Sequence, residues 1–397
     1  MAKKSGIPPE EIRKKIERIK TAEAVRNDAD EKYGYSRAVR QYQGDYISSM
    51  PSFVSEVDLI PINEVYAFVK TFIPTVISRN PHISVNPKAR EHIASSKMIE
   101  LGLNAYWRDL RIKRQMRRVV MDAIFAEGWM KIGYTAAFGK SEEAGKPKIE
   151  PSEFIQNEEI FATRISWQNM VRDPDAVDGL HDCRWVAQQI FKPLYVVQQS
   201  SLYTARDRIH PTMVVSAGRK KGSPKPALTS GEEYVEMWEL WDRDTEKVYL
   251  LSEGSDSYLR EPIDWPYKME GFPYALLQYN DNPDEPYAPN LIAAWEPQLW
   301  EKIKVRSMQL DHLKRFSRQM QAKKGSLEKS EMDKFRKALT GAVIEYTKTP
   351  IESIPYPAFQ SDVYAVENRI DLDKDNISGQ SNAVRGAQQK TQSRTLG

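Results

Sequence analysis

The chain has 397 residues, 40% hydrophobic and 28% charged, with 58 Lys and Arg against 55 Asp and Glu. That length suits one large domain or two to three ordinary ones, and a net charge of +3 excludes a protein that holds polyanions by bulk charge alone. Nine Trp and nineteen Tyr exclude global disorder, and the single cysteine, Cys183, excludes an intramolecular disulfide and suits assembly in a reducing cytosol.

The first residues, MAKKSGIPPEEIRKK, lack the apolar run of a secretory signal. Pro8-Pro9 opens a helix with Ile12, Ile16 and Ile19 on one face. A Tyr-rich stretch (Tyr33, Tyr35, Tyr42, Tyr46) follows, broken by Gly44 and Met50-Pro51. From Ile62 to Ile77 the apolar residues keep a helical period with so broad a face that burial is expected. That stretch is too short for a bilayer, carries Glu64 and Lys70 and is broken by Pro74, so no membrane contact is expected. A long helix is predicted from about Ala89 to Glu127, with Ile93, Ile99, Leu103, Trp107, Leu110, Met116 and Val119 among its apolar positions, and Gly128 stops it. Strands are predicted at Trp129 to Phe138, from Phe161 into a turn at Asp173-Pro174-Asp175, and at Cys183 to Lys192, with a short helix from Leu194 to Ser201. Residues 217–231 read as an exposed loop, and Glu233 to Glu253 as a hairpin turning near Asp242 to Glu246. A helix from about Asn290 to Ala322 carries Leu299, Ile303, Leu310, Leu313 and Met320 on one stripe; Pro297 kinks it or marks its true start. Run straight, it would span about 50 Å. A small unit with a helix from Ser326 and two short strands in Gly341 to Tyr356 follows, then a helix from about Gln360 to Ile377 and a polar ribbon to Gly397.

No catalytic constellation emerges. The loop GKSEEAGKPK holds Gly139, Gly145 and Lys146, but its spacing is one residue too long for a phosphate-binding loop and Pro147 stands where the hydroxyl belongs. His181 near Cys183 reads as an ordinary strand-edge pair. Asp371, Asp373 and Asp375 imitate the start of a calcium loop, but Asn376 replaces the required Gly and the closing Glu is missing, so they read as a helix surface. No metal, no cofactor and no enzyme activity is expected.

Two cationic runs remain. RIKRQMRR (Arg111 to Arg118) puts five bases in eight residues, which suits a solvated or inter-subunit helix face as well as nucleic-acid contact. Between Gln298 and Lys324 eight bases face two acids, Glu301 and Asp311. A helix that is apolar on one stripe and cationic elsewhere needs a neighbour on one side and tolerates a polyanion on the other. No base-reading motif accompanies either run, so such contact would be independent of sequence.

The order of these pieces resembles the portal proteins of tailed bacteriophages from about Tyr42 onward. INEVYAFVKTFIPTVISRNPHISVNPK resembles an early helix and the extended piece after it, and AYWRDLRIKRQMRRVVMDAIFAEGWMKIGY the next helix pair and its strand. ISWQNMVRDPDA resembles a strand ending in Asp-Pro-Asp, and VEMWELWDRDTEKVYLL an exposed hairpin. DEPYAPNLIAAWEPQLWEKIKVRSMQLDHLKR is similar to the start of a first stem helix, and ISGQSNAVRGAQQKTQSRTLG to the segment where portals turn from stem to tunnel. The implied class is α+β: a wing-like region (1–288), a first stem helix (289–324), a clip-like unit (325–359), a second stem helix (360–377) and the start of a tunnel segment (378–397), with a tunnel helix expected beyond Gly397. The alternative for that last ribbon is a disordered tail.

The resemblance implies a homo-oligomeric ring, typically a dodecamer, at one capsid vertex of the virion, assembled in the host cytoplasm. Double-stranded DNA passes through it without sequence specificity. Its partners are the terminase large subunit, which hydrolyses the ATP, and capsid, scaffold and head-completion or tail adaptor proteins. Subunit packing falls to Leu299, Ile303, Leu310 and Leu313. Lys314 and Arg315 are assigned to pairing with acids on the next subunit, such as Asp362, Glu367, Asp371 or Asp373. Arg318, Lys323, Lys324, Arg385 and Lys390 are the tunnel candidates. Docking on the clip falls to Glu328, Lys329, Glu331, Asp333, Lys334, Arg336 and Lys337. The rival reading is a basic, sequence-independent nucleic-acid-binding or regulatory protein acting as a monomer or dimer.

Overall fold

The computed structural model describes residues 9–46, 60–78, 82–138, 155–200, 202–204, 206–214, 233–265, 271–316, 320–321, 352–353 and 362–379. They mix α-helices with sheets whose strand pairs are all antiparallel, in keeping with the α+β class. The chain divides into two units: Met1–Asp45 with Asn63–Ala294, and Tyr46–Ile62 with Trp295–Gly397.

In the first unit, β1 (Gly128–Phe138), β2 (Ile155–Ile165) and β9 (Tyr274–Leu277) form a sheet in the order β2-β1-β9. A second sheet runs β3 (Met170–Arg172), β4 (Trp185–Pro193), β6 (Glu233–Asp242), β7 (Lys247–Leu251), β8 (Arg260–Asp264), and β5 (Met213–Val214) pairs with the first residues of β6. Alternation along β4 and β6 serves two cores. Trp185, Ala187, Trp238 and Leu240 meet Ile12, Ile19 and Ala22 of α1 (Pro9–Tyr33). Val186 and Trp241 face the other way, into a core shared with Trp129 of β1, Ile165 of β2 and Tyr274 of β9. Val235 and Met237 pack with Val197 of α6 (Leu194–Gln199).

Helix α1 ends because Gly34 takes a left-handed φ of 70°, and the Asp30 carboxylate accepts from both the amide and the hydroxyl of Ser36 to start α2 (Tyr35–Tyr42). The amide of Tyr66 donates to the side chain of Asn63, which caps α3 (Glu64–Val76). The broad apolar face expected there is only half covered: Val65, Phe68 and Val69 are buried, while Tyr66 and Val76 are exposed.

The long helix predicted from Ala89 to Glu127 is two helices, α4 (Ile93–Asp109) and α5 (Ile112–Phe125). Arg111 breaks it with a φ of 50°, a left-handed conformation that few residues other than glycine adopt. α5 lies on β1 so closely that a Cβ on Gly128 would run into the carbonyl oxygen of Val119. The strand expected from Phe161 begins at Ile155, and a short 3-10 turn at Trp167–Asn169 separates it from β3. The hairpin at Glu233 to Glu253 forms as β6 and β7, but it is not exposed: β6 is central in its sheet and most of its residues are buried. Strands β8 and β9 were not anticipated from the sequence. The loops expected around 139–150 and 217–231 lie outside the described residues.

In the second unit, α7 (Glu296–Phe316) begins one residue before Pro297, which sits in its first turn, where proline is at ease. At 21 residues it is about 31 Å long, not about 50 Å. Met320, expected on its apolar stripe, belongs instead to β10 (Met320–Gln321), which pairs with β11 (Glu352–Ser353). α8 (Asp362–Ser378) matches the last predicted helix within two residues. The small helix expected from Ser326 lies outside the described residues.

Candidate nucleic-acid interface

Leu299 and Ile303 are buried on α7, and Ile370 is buried on α8. Beside them Lys302 is also buried, with Nζ 2.5 Å from Oδ1 of Asp371 on α8; Lys374 reaches the same oxygen at 3.1 Å. One turn along α7, Arg306 Nη1 stands 3.7 Å from Oε1 of Glu367. The two contacts make the helix pair antiparallel, because a turn forward on α7 is a turn back on α8. Partial burial strips water from the Asp371 carboxyl and pushes its pKa up, but the Lys302 and Lys374 ammonium groups outweigh this and hold it below the usual 3.8. The hydroxyl of Ser307 donates to the Ile303 carbonyl at 2.7 Å and accepts the Ile60 amide at 3.0 Å, tying the segment before α3 to α7.

Within the chain, Asp371 is paired with Lys302 and Glu367 with Arg306. Leu310, expected in the packed stripe, is 37% exposed. The side chains of Leu313, Lys314 and Arg315 lie outside the described residues. So do the tunnel candidates Arg318, Lys323, Lys324, Arg385 and Lys390, and the docking candidates Glu328, Lys329, Glu331, Asp333, Lys334, Arg336 and Lys337. The β10–β11 pairing sets Gln321 opposite Glu352.

The other cationic run sits in the first unit at the corner between α4 and α5. Trp107, Arg108, Arg111, Lys113, Arg114 and Arg117 line an open groove of about 360 Å³. The Lys113 ammonium donates to the Ser78 carbonyl at 3.3 Å.

Elsewhere in this unit the polar chemistry is internal. Glu127 and Arg172 form a buried pair at 3.0 Å; the indole of Trp129 and the amide of Gln278 also donate to Glu127, and Arg172 donates to the carbonyls of Gly179 and Pro286 and lies over the Tyr287 ring. Lys131 of β1 reaches Glu239 at 2.5 Å and Gln188 at 3.2 Å across the shared core. Arg184 holds Asp173 at 2.6 Å and Asp175 at 2.5 Å, which fixes the Asp-Pro-Asp turn. Cys183 is buried, its thiol donates to the Gly179 carbonyl, and burial pushes its pKa up to about 11, which leaves it a poor nucleophile. A cleft of about 940 Å³ is bordered by Asp178, His181, Arg243, Asp281 and Glu285, but Glu285 is bound by Lys32, Tyr33 and Asn282. Among the described residues, no three His, Cys, Asp or Glu are grouped to hold a metal ion, and no helix is long and apolar enough to cross a membrane.

Sequence reasoning missed the exposure of α4. Its buried residue is Ser96, while Met98 is 75% and Leu101 66% exposed and Ile93, Ile99, Leu103 and Tyr106 are exposed with them. The signal was present: apolar residues fall all round this helix, more than one neighbouring element covers. No protein-family model matches the chain, and no curated protein is significantly similar to it.

Proposed function

We propose that this chain is the subunit of a portal ring, through which double-stranded DNA enters and leaves a phage capsid. The observation that carries the reading is the α7–α8 pair. Two antiparallel helices, tied by Lys302–Asp371 and Arg306–Glu367, are joined through a segment whose ends meet at β10–β11. That is the arrangement expected of a two-helix stem carrying a clip. The pair also leaves Met308, Leu310, Val366, Leu372 and Ile377 exposed in the single chain. Apolar surface on a stem is what a neighbouring subunit in a ring would cover.

In this reading the ring sits at the capsid vertex, the clip-like unit of residues 325–359 docks the terminase and later a head-completion or tail protein, and DNA passes through the ring, driven by the terminase, which hydrolyses the ATP. Contacts to DNA are to phosphate only. Negative-stain images of the purified chain test it: rings with a central hole are expected, and isolated particles of monomer size at every concentration would overturn it. The open arginine groove on α4–α5 favours the second reading, a monomeric or dimeric nucleic-acid-binding protein, and the same images separate the two.

A further inference from the structure

The groove at the α4–α5 corner is cationic in a way that folding does not require. Arg108, Arg111, Arg114 and Arg117 make no ion pair among the described residues, whereas buried or partly buried cations elsewhere in the unit (Arg26, Lys131, Arg164, Arg172) all have carboxylate or carbonyl partners. Asp109 is the one acid between Glu100 and Asp122, and it does not line the groove. Asp122 is occupied by Arg164.

Arrangement adds to charge. Arg111, Arg114 and Arg117 recur every three residues, climbing the helix by about 4.5 Å each, comparable with the roughly 3.4 Å of axis per phosphate on one DNA strand. Arg111 holds its left-handed φ of 50° at the bend that brings Arg108 of α4 alongside the first turn of α5. The amide end of α5 points into this corner and adds its positive partial charge. The opposing carbonyl end of α4 is partly neutralised: the Leu110 amide donates to Tyr106 O at 2.9 Å and the Arg111 amide to Arg108 O at 3.0 Å. Trp107 contributes an aromatic wall.

We infer that this groove is a binding site for the phosphodiester backbone of a nucleic acid, engaged without regard to base sequence. Guanidinium forks match phosphate oxygens two at a time, and an open groove accepts a continuous polyanion where a closed pocket accepts a single anion. Trp107 offers a stacking surface to an unpaired base or a sugar. The site lies wholly in the first unit, so it stands whether or not the chain forms a ring.

The test is fluorescence anisotropy of the full chain with labelled 30-mer duplex and single strand over a salt series, with oligomeric mass followed separately by mass photometry. The variant Arg111→Gln/Arg114→Gln/Arg117→Gln should weaken binding at least about tenfold and lower the slope of log affinity against log salt by about three. The control Arg90→Gln/Lys97→Gln removes one charge from the 3-10 turn before α4 and one from the early part of α4, and should leave the slope within about one of the parent's. Trp107→Phe distinguishes the two forms of nucleic acid: a loss confined to single strand assigns stacking to that ring, and equal binding assigns duplex backbone. Unchanged slope and affinity in a folded triple variant would overturn the site. So would tighter binding of polyglutamate or of anionic phospholipid vesicles than of either DNA, lost in the same variant. A chain that stays monomeric yet loses DNA binding in the triple variant upholds this site and sinks the ring.

Discussion

The sheets of the first unit and the helices α4, α7 and α8 handle apolar surface in opposite ways. Around β4 and β6, Trp185, Ala187, Trp238, Leu240, Val235 and Met237 are all covered, and charges drawn inside, such as Glu127 and Arg172, are paired and hydrogen-bonded. On the three helices Met98, Leu101, Met308 and Leu372 stand in solvent. Strands β4 and β6 are covered by their own chain. The helices leave apolar side chains open to solvent, and patches of this kind are candidate contact surfaces.

The largest effects should fall in the sheets. Trp185→Ala empties a fully buried site beneath α1, where Arg18 also lies 4.9 Å from the ring, and should cost about 3–5 kcal/mol in urea unfolding. A loss below about 1 kcal/mol would mean that α1 does not hold the sheet. Glu127→Ala strands Arg172 as an uncompensated buried cation and should cost about 3–5 kcal/mol as well. Glu127→Leu/Arg172→Met should recover most of that loss, because replacing both partners leaves no orphan charge; a double variant as unstable as the single would show that the pair contributes more than it costs to bury.

The helix pair should respond more weakly, and to pH. Asp371→Asn should cost about 1 kcal/mol, because the carboxylate is partly open to solvent. The folded pKa of Asp371 is depressed, so its contribution is present above the ordinary aspartate value of 3.8 and is lost as pH falls through the lower folded value. Parent and Asp371→Asn unfolding curves should therefore differ at pH 7 and converge in strong acid; a constant gap would show that the Asp371 carboxyl does not titrate lower in the folded state. The smallest effect on stability, within about 0.5 kcal/mol, is expected for Met98→Ser/Leu101→Ser on the exposed face of α4. If α4 is a contact surface, that variant should still reduce self-association in sedimentation.

Particular residues show where the sequence was legible. EYVEMWELWD announced a strand by its alternation, and its apolar residues at 234, 235, 237, 238, 240 and 241 fall on both faces, the pattern of a strand covered on two sides. Reading it as an exposed hairpin overlooked that pattern. The bend at Arg111 was hidden because no glycine or proline marks it; a single left-handed arginine does the work. Strands β8 and β9 are short, and Pro262 in β8 argues against a strand in any local reading. Periodicity identified the stripe of Leu299 and Ile303, but the partners of Lys302 and Arg306 depend on how far the chain travels before it returns as α8, and local spacing carries no information about that.

We propose that the α7–α8 pair is one stave of a ring. Sedimentation velocity of the full chain and of Leu310→Ser/Leu372→Ser, which alters two exposed positions on that pair, tests it most directly. A single closed assembly of many 45.7 kDa chains is expected for the parent, and a shift to monomer or small oligomers for a variant of unchanged fold. A parent that sediments as a 45.7 kDa monomer at all concentrations, or a variant whose assembly is unaffected, would contradict it.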